Sequence, residues 1–139
     1  MARERSRARA RALQVLYAWE SRHDASPRDT LAALTEGRRI LPLVREQLDR
    51  IVGLVDDHGT EIDRALDAAL TNWRLERLSA IDRNVLRIGA AELLHPGDVP
   101  PKVAILEAVR LADRYGSAES ARFVNGVLDA LMRRTGEAG

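Results

Sequence analysis

The sequence predicts an all-α protein, a compact bundle of about seven helices in one domain spanning residues 1–139. Three observations carry that expectation. Apolar residues recur with a helical period along almost the whole chain. Ala and Leu, which favour helices, dominate, and aromatic residues make up only 4%. Proline and glycine fall between the periodic stretches, where connections belong. With 45% hydrophobic residues in 139, such a chain can bury roughly two-thirds of its unfolded surface.

The elements follow in order. A first helix is expected over about Ser6 to Arg22, ending before "HDASP". Ser26-Pro27-Arg28-Asp29 supplies an N-cap serine, a proline at the first helical position and an acid in the first turn, starting a short helix to about Arg39. Pro42 opens a third helix with Leu43, Val44, Leu48, Ile51, Val52 and Val55 on its apolar stripe. Gly59 is expected to break it, leaving Ile62, Ala65, Leu66, Ala69 and Leu70 for a fourth. "TNWRLERL" reads as a corner that contributes Trp73 and Leu78 to the core. Ser79 to Asp82 resembles a capping box with Asp in place of Glu, opening helix five, "IDRNVLRIGAAELL". That helix stops at His95-Pro96-Gly97, and "DVPPK" is extended, because residues preceding proline avoid the α region. Helix six, "KVAILEAVRLADRY", ends at Gly116, a natural residue just past a helix end. Helix seven, "ESARFVNGVLDALMRR", runs into a polar tail, with Gly126 as a close-packing point.

Several kinds of chemistry are excluded or disfavoured. Without cysteine there is no disulfide or thiolate site. No apolar run approaches the roughly 20 residues that span a bilayer, and no apolar segment follows the charged N-terminus as in a secretory signal. A cytoplasmic protein is the simplest reading. His23, His58 and His95 fall near helix ends, none paired at metal-ligand spacing. Asp56-Asp57-His58 is a cluster in sequence only, because adjacent helical residues point in different directions. Neither a serine nucleophile elbow nor a phosphate-cradling glycine loop is present. No enzymatic activity, metal or cofactor is expected.

Charge is distributed unevenly. The net charge is only +1, yet residues 1–11 hold five arginines, Arg3, Arg5, Arg7, Arg9 and Arg11, against Glu4. On a helical wheel Ala8, Ala12, Val15, Leu16 and Trp19 form the apolar arc. Arg3, Arg7 and Arg11 stack opposite it, continued by Gln14, while Arg5 and Arg9 fall beside the arc. A charge there cannot be buried unpaired, so residues 1–11 are expected to project beyond the core as a basic arm. Arginine at a helix N-terminus opposes the macrodipole at about 0.3–1 kcal/mol per charge, and like charges four residues apart repel. A chain that carries both costs gains from a polyanion. RNA fits better than a membrane, because no bulky apolar face is left free for insertion.

Four stretches, "RARALQVLYAWE", "DRNVLRIGAAELL", "DVPPKVAILEAVRLADRYGS" and "SARFVNGVLDAL", resemble in order and spacing the NusB family of transcription antitermination factors. The resemblance implies an all-helical fold of two small packed subdomains and no catalysis. It also implies binding of boxA RNA in ribosomal RNA operons jointly with NusE, a small-subunit ribosomal protein, within an RNA polymerase antitermination complex. Self-association over the RNA surface, giving a homodimer, is a further property of some members. Carried onto this sequence, the RNA-binding candidates are Arg5, Arg7, Arg9, Arg11, Gln14 and Tyr17 on the first helix, with Arg122 and Phe123 on the last. Phe123 has two readings, a base-stacking residue or an ordinary core side chain. Asp82 is the candidate contact to NusE. The chain departs from the usual family pattern at Leu106, where an Asn commonly stands, so a hydrogen bond made by that Asn is absent and local helix packing is expected to differ.

Other readings of the residues are a purely protein-binding helical scaffold and a regulatory domain of the kind found in ribosomal RNA methyltransferases. A chain ending at Gly139 leaves no room for a cofactor-binding domain, which favours the free-standing factor.

Overall fold

The computed structural model describes the backbone of residues 2–138 and the side chains of residues 2–136. Six α-helices, α1 (Ala2–Glu20), α2 (Pro27–Thr35), α3 (Pro42–Ala69), α4 (Ala80–Leu94), α5 (Pro101–Tyr115) and α6 (Ser120–Ala138), are joined by short connections, with one 3₁₀ turn at Leu75–Arg77. No strand occurs among the described residues. The count differs from seven because the expected third and fourth helices are continuous. Gly59 does not end the helix; the disturbance is a kink at His58, whose φ of −120° and ψ of 21° leave the helical region while the chain continues.

Helix starts follow the local chemistry. At α2 the capping box is complete: Asp29 N–H donates to Ser26 Oγ at 3.0 Å and Ser26 N–H donates to Asp29 Oδ2 at 3.1 Å. At α4 the first half is present, with Asp82 N–H donating to Ser79 Oγ at 3.2 Å. Past α2, Gly37 takes a φ of 71°, a left-handed conformation that an L side chain rarely adopts.

The core is organised around α4. Residues 84–92 are buried without interruption, the mark of a helix enclosed on all sides rather than an amphipathic surface helix. It packs against α1, α3, α5 and α6. Leu16, Leu48, Ile62, Leu86, Ile88 and Leu128 are among its largest fully buried neighbours and members. The buried apolar residues form one continuous cluster that draws on all six helices.

Close approach around α4 depends on Gly89. A Cβ there would stand 2.5 Å from Leu128 Cδ1 and 3.3 Å from the Cβ of Ala108, so α5 and α6 both press on this point. Gly126, expected as a packing point, meets nothing within 4 Å and is exposed. Its neighbours are apolar enough to suggest packing, but it lies on the outer side of α6.

Gly116 also has a different basis from the one expected. Its φ of −95° and ψ of −162° are ordinary extended backbone, open to any residue. Space is what restricts it: a Cβ would collide with Ser120 Oγ and lie 2.8 Å from the carbonyl oxygen of Ala112. Ser120 is buried there, accepting from Ser117 N–H at 2.9 Å. Gly116→Ala should therefore lower stability by about 1–3 kcal/mol through overpacking, read as a reduced midpoint in chemical denaturation. A change within a few tenths would remove the steric account.

One other expectation changes. Trp73 is 62% exposed, not part of the core, because the corner after α3 turns its ring outward, while Leu78 packs partly against the core. Leu106, where the sequence departs from the expected pattern, is 48% exposed on α5.

Candidate nucleic-acid interface

α1 sorts its arginines by face. Residues four apart share a face of a helix, and Arg3, Arg7 and Arg11 are all exposed along one of them. Gln14 and Tyr17 continue the same ridge, the tyrosine ring 53% exposed. Neither Arg7 nor Arg11 has a carboxylate partner among the described residues.

Arg5 and Arg9 lie on the other side. The guanidinium of Arg9 is buried, its Nε 3.2 and 3.1 Å from the two carboxylate oxygens of Glu92 on α4, and its Nη2 has no partner among the described residues. This corrects the projecting arm: α1 is helical from Ala2, and Ala8 and Arg9 are already inside the core. An unpaired charge could not lie there, and Glu92 provides the pair. Arg9 is thus 2% exposed, at the floor of a groove that Ser6, Glu107 and Arg110 also line. Arg5 Nη2 donates to both Asp98 oxygens at 2.7 Å, and that arrangement holds the Asp98 carboxyl below its ordinary value. Asp98 is 80% exposed, so Arg5 could exchange it for another anion at little cost.

The far end of α1 is tied down as well. Glu20 Oε1 accepts from Arg83 Nε and Arg87 Nη1, each at 2.6 Å, and Oε2 accepts from Arg83 Nη2 at 2.7 Å. Arg87 also reaches Asp63 on α3 at 3.0 Å and Asn84 at 2.9 Å, and its guanidinium lies 5.3 Å from the centroid of the Trp19 ring. Burial raises the Glu20 carboxyl, but the hydrogen bonds from Arg83 and Arg87 outweigh it and hold the group below its ordinary value. With residue 9 opposite 92 and residue 20 opposite 83 and 87, α1 and α4 run antiparallel. Ion pairs clamp them together at both places, so the exposed ridge sits on a fixed backbone.

The second group of candidates gathers at a groove between the corner after α3 and α6. Arg122 is exposed, and Phe123 is half-buried, packed on the core along one side. Thr71, Asn72, Trp73 and Gly126 line the same groove. Phe123 is therefore anchored by the core on one side and open to the groove on the other. Asp82 stands elsewhere, at the start of α4, half-buried with Oδ1 withdrawn from solvent and without a partner among the described residues.

Two neighbours lie outside the sequence candidates. Arg38 lines a groove with Arg11, Gln14 and Leu34; the Arg38–Arg39 pair directly after Gly37 is the available signal. Trp73 joins Phe123, and nothing in the sequence distinguishes such a tryptophan from a core one. At the α3 kink, His58, Glu61 and His95 come together across two helices.

The geometry defines a class, a small helical protein presenting a fixed, arginine-lined helix face. The model of the NusB family matches residues 6–133. The chain is 45% identical over 132 residues to the transcription antitermination protein NusB of Sorangium cellulosum, covering 95% of this chain and 94% of that one. It is 46% identical over 133 residues to the NusB of Anaeromyxobacter dehalogenans strain 2CP-1, covering 93% and 90%. Among solved structures, T. maritima NusB superposes with a TM-score of 0.83 at 35% identity, covering 93% of this chain and 90% of that one. A chain from the crystal structure of antitermination factors NusB and NusE in complex with dsRNA gives 0.85 at 30% identity, covering 96% and 99%. This chain belongs to the NusB family.

Proposed function

We propose that this protein is a transcription antitermination factor that binds the boxA RNA of ribosomal RNA operons together with the ribosomal protein NusE, and so alters termination by RNA polymerase. It acts in the cytoplasm as a binding adaptor, not an enzyme. One observation carries the reading: the exposed Arg3–Arg7–Arg11 ridge, whose middle and last members lack carboxylate partners among the described residues, on a helix clamped by α4. A fixed row of guanidinium groups meets phosphates without the entropy cost of ordering an arm. Gln14 offers hydrogen bonds to the same strand and Tyr17 an open ring for stacking. Arg122 and Phe123 form a second contact area, with the phenyl face available to a base. Arg5 serves at the edge if phosphate replaces Asp98, and Arg9 serves by holding the helix in place.

Asp82 is the proposed contact to NusE, since a carboxylate suits a protein partner better than a phosphate backbone. RNA and NusE then tighten each other's binding by the same factor, as linkage requires.

The test is titration of a boxA RNA into this protein, with and without NusE, over a range of salt concentrations. NusE should tighten RNA binding. Replacing Arg3, Arg7 and Arg11 together by Ala should weaken it and flatten the salt dependence by about 2, from about 0.7 for each single-strand phosphate that is no longer neutralised. Thermal stability should hold, because the three side chains are exposed. An unchanged slope in a folded triple variant would overturn the assignment of this ridge.

A further inference from the structure

We propose that His58, Glu61 and His95 form a site for a divalent transition-metal ion of the zinc class, bridging the kink of α3 to the end of α4. One ligand atom from each of the three side chains lies within 4.8 Å of the others. The two imidazole rings are stacked, their centroids 3.8 Å apart and their planes inclined by 19°. His95 Nε2 and Glu61 Oε1 are 2.5 Å apart. Two imidazoles and one carboxylate are a donor set that suits zinc, leaving a fourth tetrahedral position for water. Bonds of about 2.0–2.1 Å set ligand atoms roughly 3.3 Å apart around a tetrahedral ion. The Glu61–His95 pair must therefore open slightly and His58 must close in. The near-parallel rings must also turn out of their stack for both nitrogens to point at one ion. Both histidines are only half-buried and Glu61 is exposed, which leaves them room to do so.

The backbone prepares this meeting. An unbroken α-helix sets residues three apart on neighbouring positions of one face, and His58 and Glu61 have that spacing. The non-helical backbone falls at His58 itself, and its ring lies against that of His95 just past the end of α4. On the other side His95 caps α4, and its carbonyl oxygen accepts from Arg50 Nη2 at 2.8 Å, which fixes its position.

The electrostatics also suit a cation. Asp56, Asp57 and Asp63 line the cavity beside His58 and Glu61. Arg28 matches Asp57 and Arg87 matches Asp63, leaving Asp56 and Glu61 without a matching guanidinium side chain among the described residues. Bound metal would pin the half of α3 beyond the kink to the end of α4.

Zinc chloride titrated calorimetrically into the full chain, previously dialysed against a chelator, tests the site. The unaltered protein should bind one zinc ion, its Tm should rise with zinc concentration, and Co²⁺ should give visible absorption with imidazole coordination. His58→Gln, Glu61→Gln and His95→Gln should each weaken zinc by more than about tenfold, a loss beyond the lower end of effects from outer-shell partners. His23→Gln should leave binding intact, and Mg²⁺, a hard ion, should give no comparable heat. The proposal is overturned if the unaltered protein shows neither one-to-one binding nor a Tm rise. Equal binding by the three folded variants, or loss of binding in His23→Gln, overturns it too.

Discussion

Glu92→Gln is expected to lower folding stability by about 3–5 kcal/mol, the cost of stranding one charge of a buried pair. Arg9 and Glu92 keep only 3% and 6% of their side-chain surface exposed, so water cannot replace the missing carboxylate. The fall in Tm should exceed about 10 °C for a chain of this size. Arg9→Met combined with Glu92→Leu should recover most of the loss, because two apolar side chains of similar volume need no compensation for desolvated charge. The double variant also separates structure from recognition. If it folds and binds RNA as tightly as the unaltered protein, Arg9 acts only through the fold. A loss of RNA affinity at full stability would instead return Arg9 to the binding surface.

Glu20→Gln should cost about 2–4 kcal/mol at neutral pH, since one carboxylate answers both Arg83 and Arg87 in a partly buried position. The pH dependence gives a second check. Glu20 is held below its ordinary value of 4.5, so the unfolded chain takes up its proton first as the solution is acidified. The stabilisation is complete above that ordinary value and is lost as pH falls through the lower, folded-state value. Denaturation of both proteins across acid pH should therefore show the gap between them narrowing below about 4.5. A gap that stays constant down to full protonation would show that Glu20 carries no charge-linked stabilisation.

Much of this architecture is legible in the sequence because period and capping agree. The Ser26-Pro27-Arg28-Asp29 start of α2 and the span of α4 to its stop at His95 both match the expectation, each signalled by a local rule that tertiary contacts have no reason to override. The differences have a common physical cause. Glycine weakens helices, which points to a break at Gly59, but Ile62 and Leu66 are fully buried, and packing holds the helix together across the kink. A wheel shows which face a residue occupies and not what lies opposite, so it puts the basic segment outside the core. Glu92, 83 positions along the chain from Arg9, is invisible to any local pattern. The same distance hides the meeting of His58 with His95. For the interface, the wheel does separate Arg3, Arg7 and Arg11 from Arg5 and Arg9, and that division is the one the structure displays.

The enclosure of α4 has a consequence for the order of events during synthesis. The first three helices emerge from the ribosome with their apolar sides complete but without the helix that covers them. α1 and α3 can pack on each other at that stage, but the sides they turn to α4 stay open to water until residues 84–92 have also been released. Chains elongate at about 5–20 residues per second, so the N-terminal segment spends seconds as an uncovered intermediate. Arg9 waits on the same release, because the carboxylate that pairs with it belongs to Glu92.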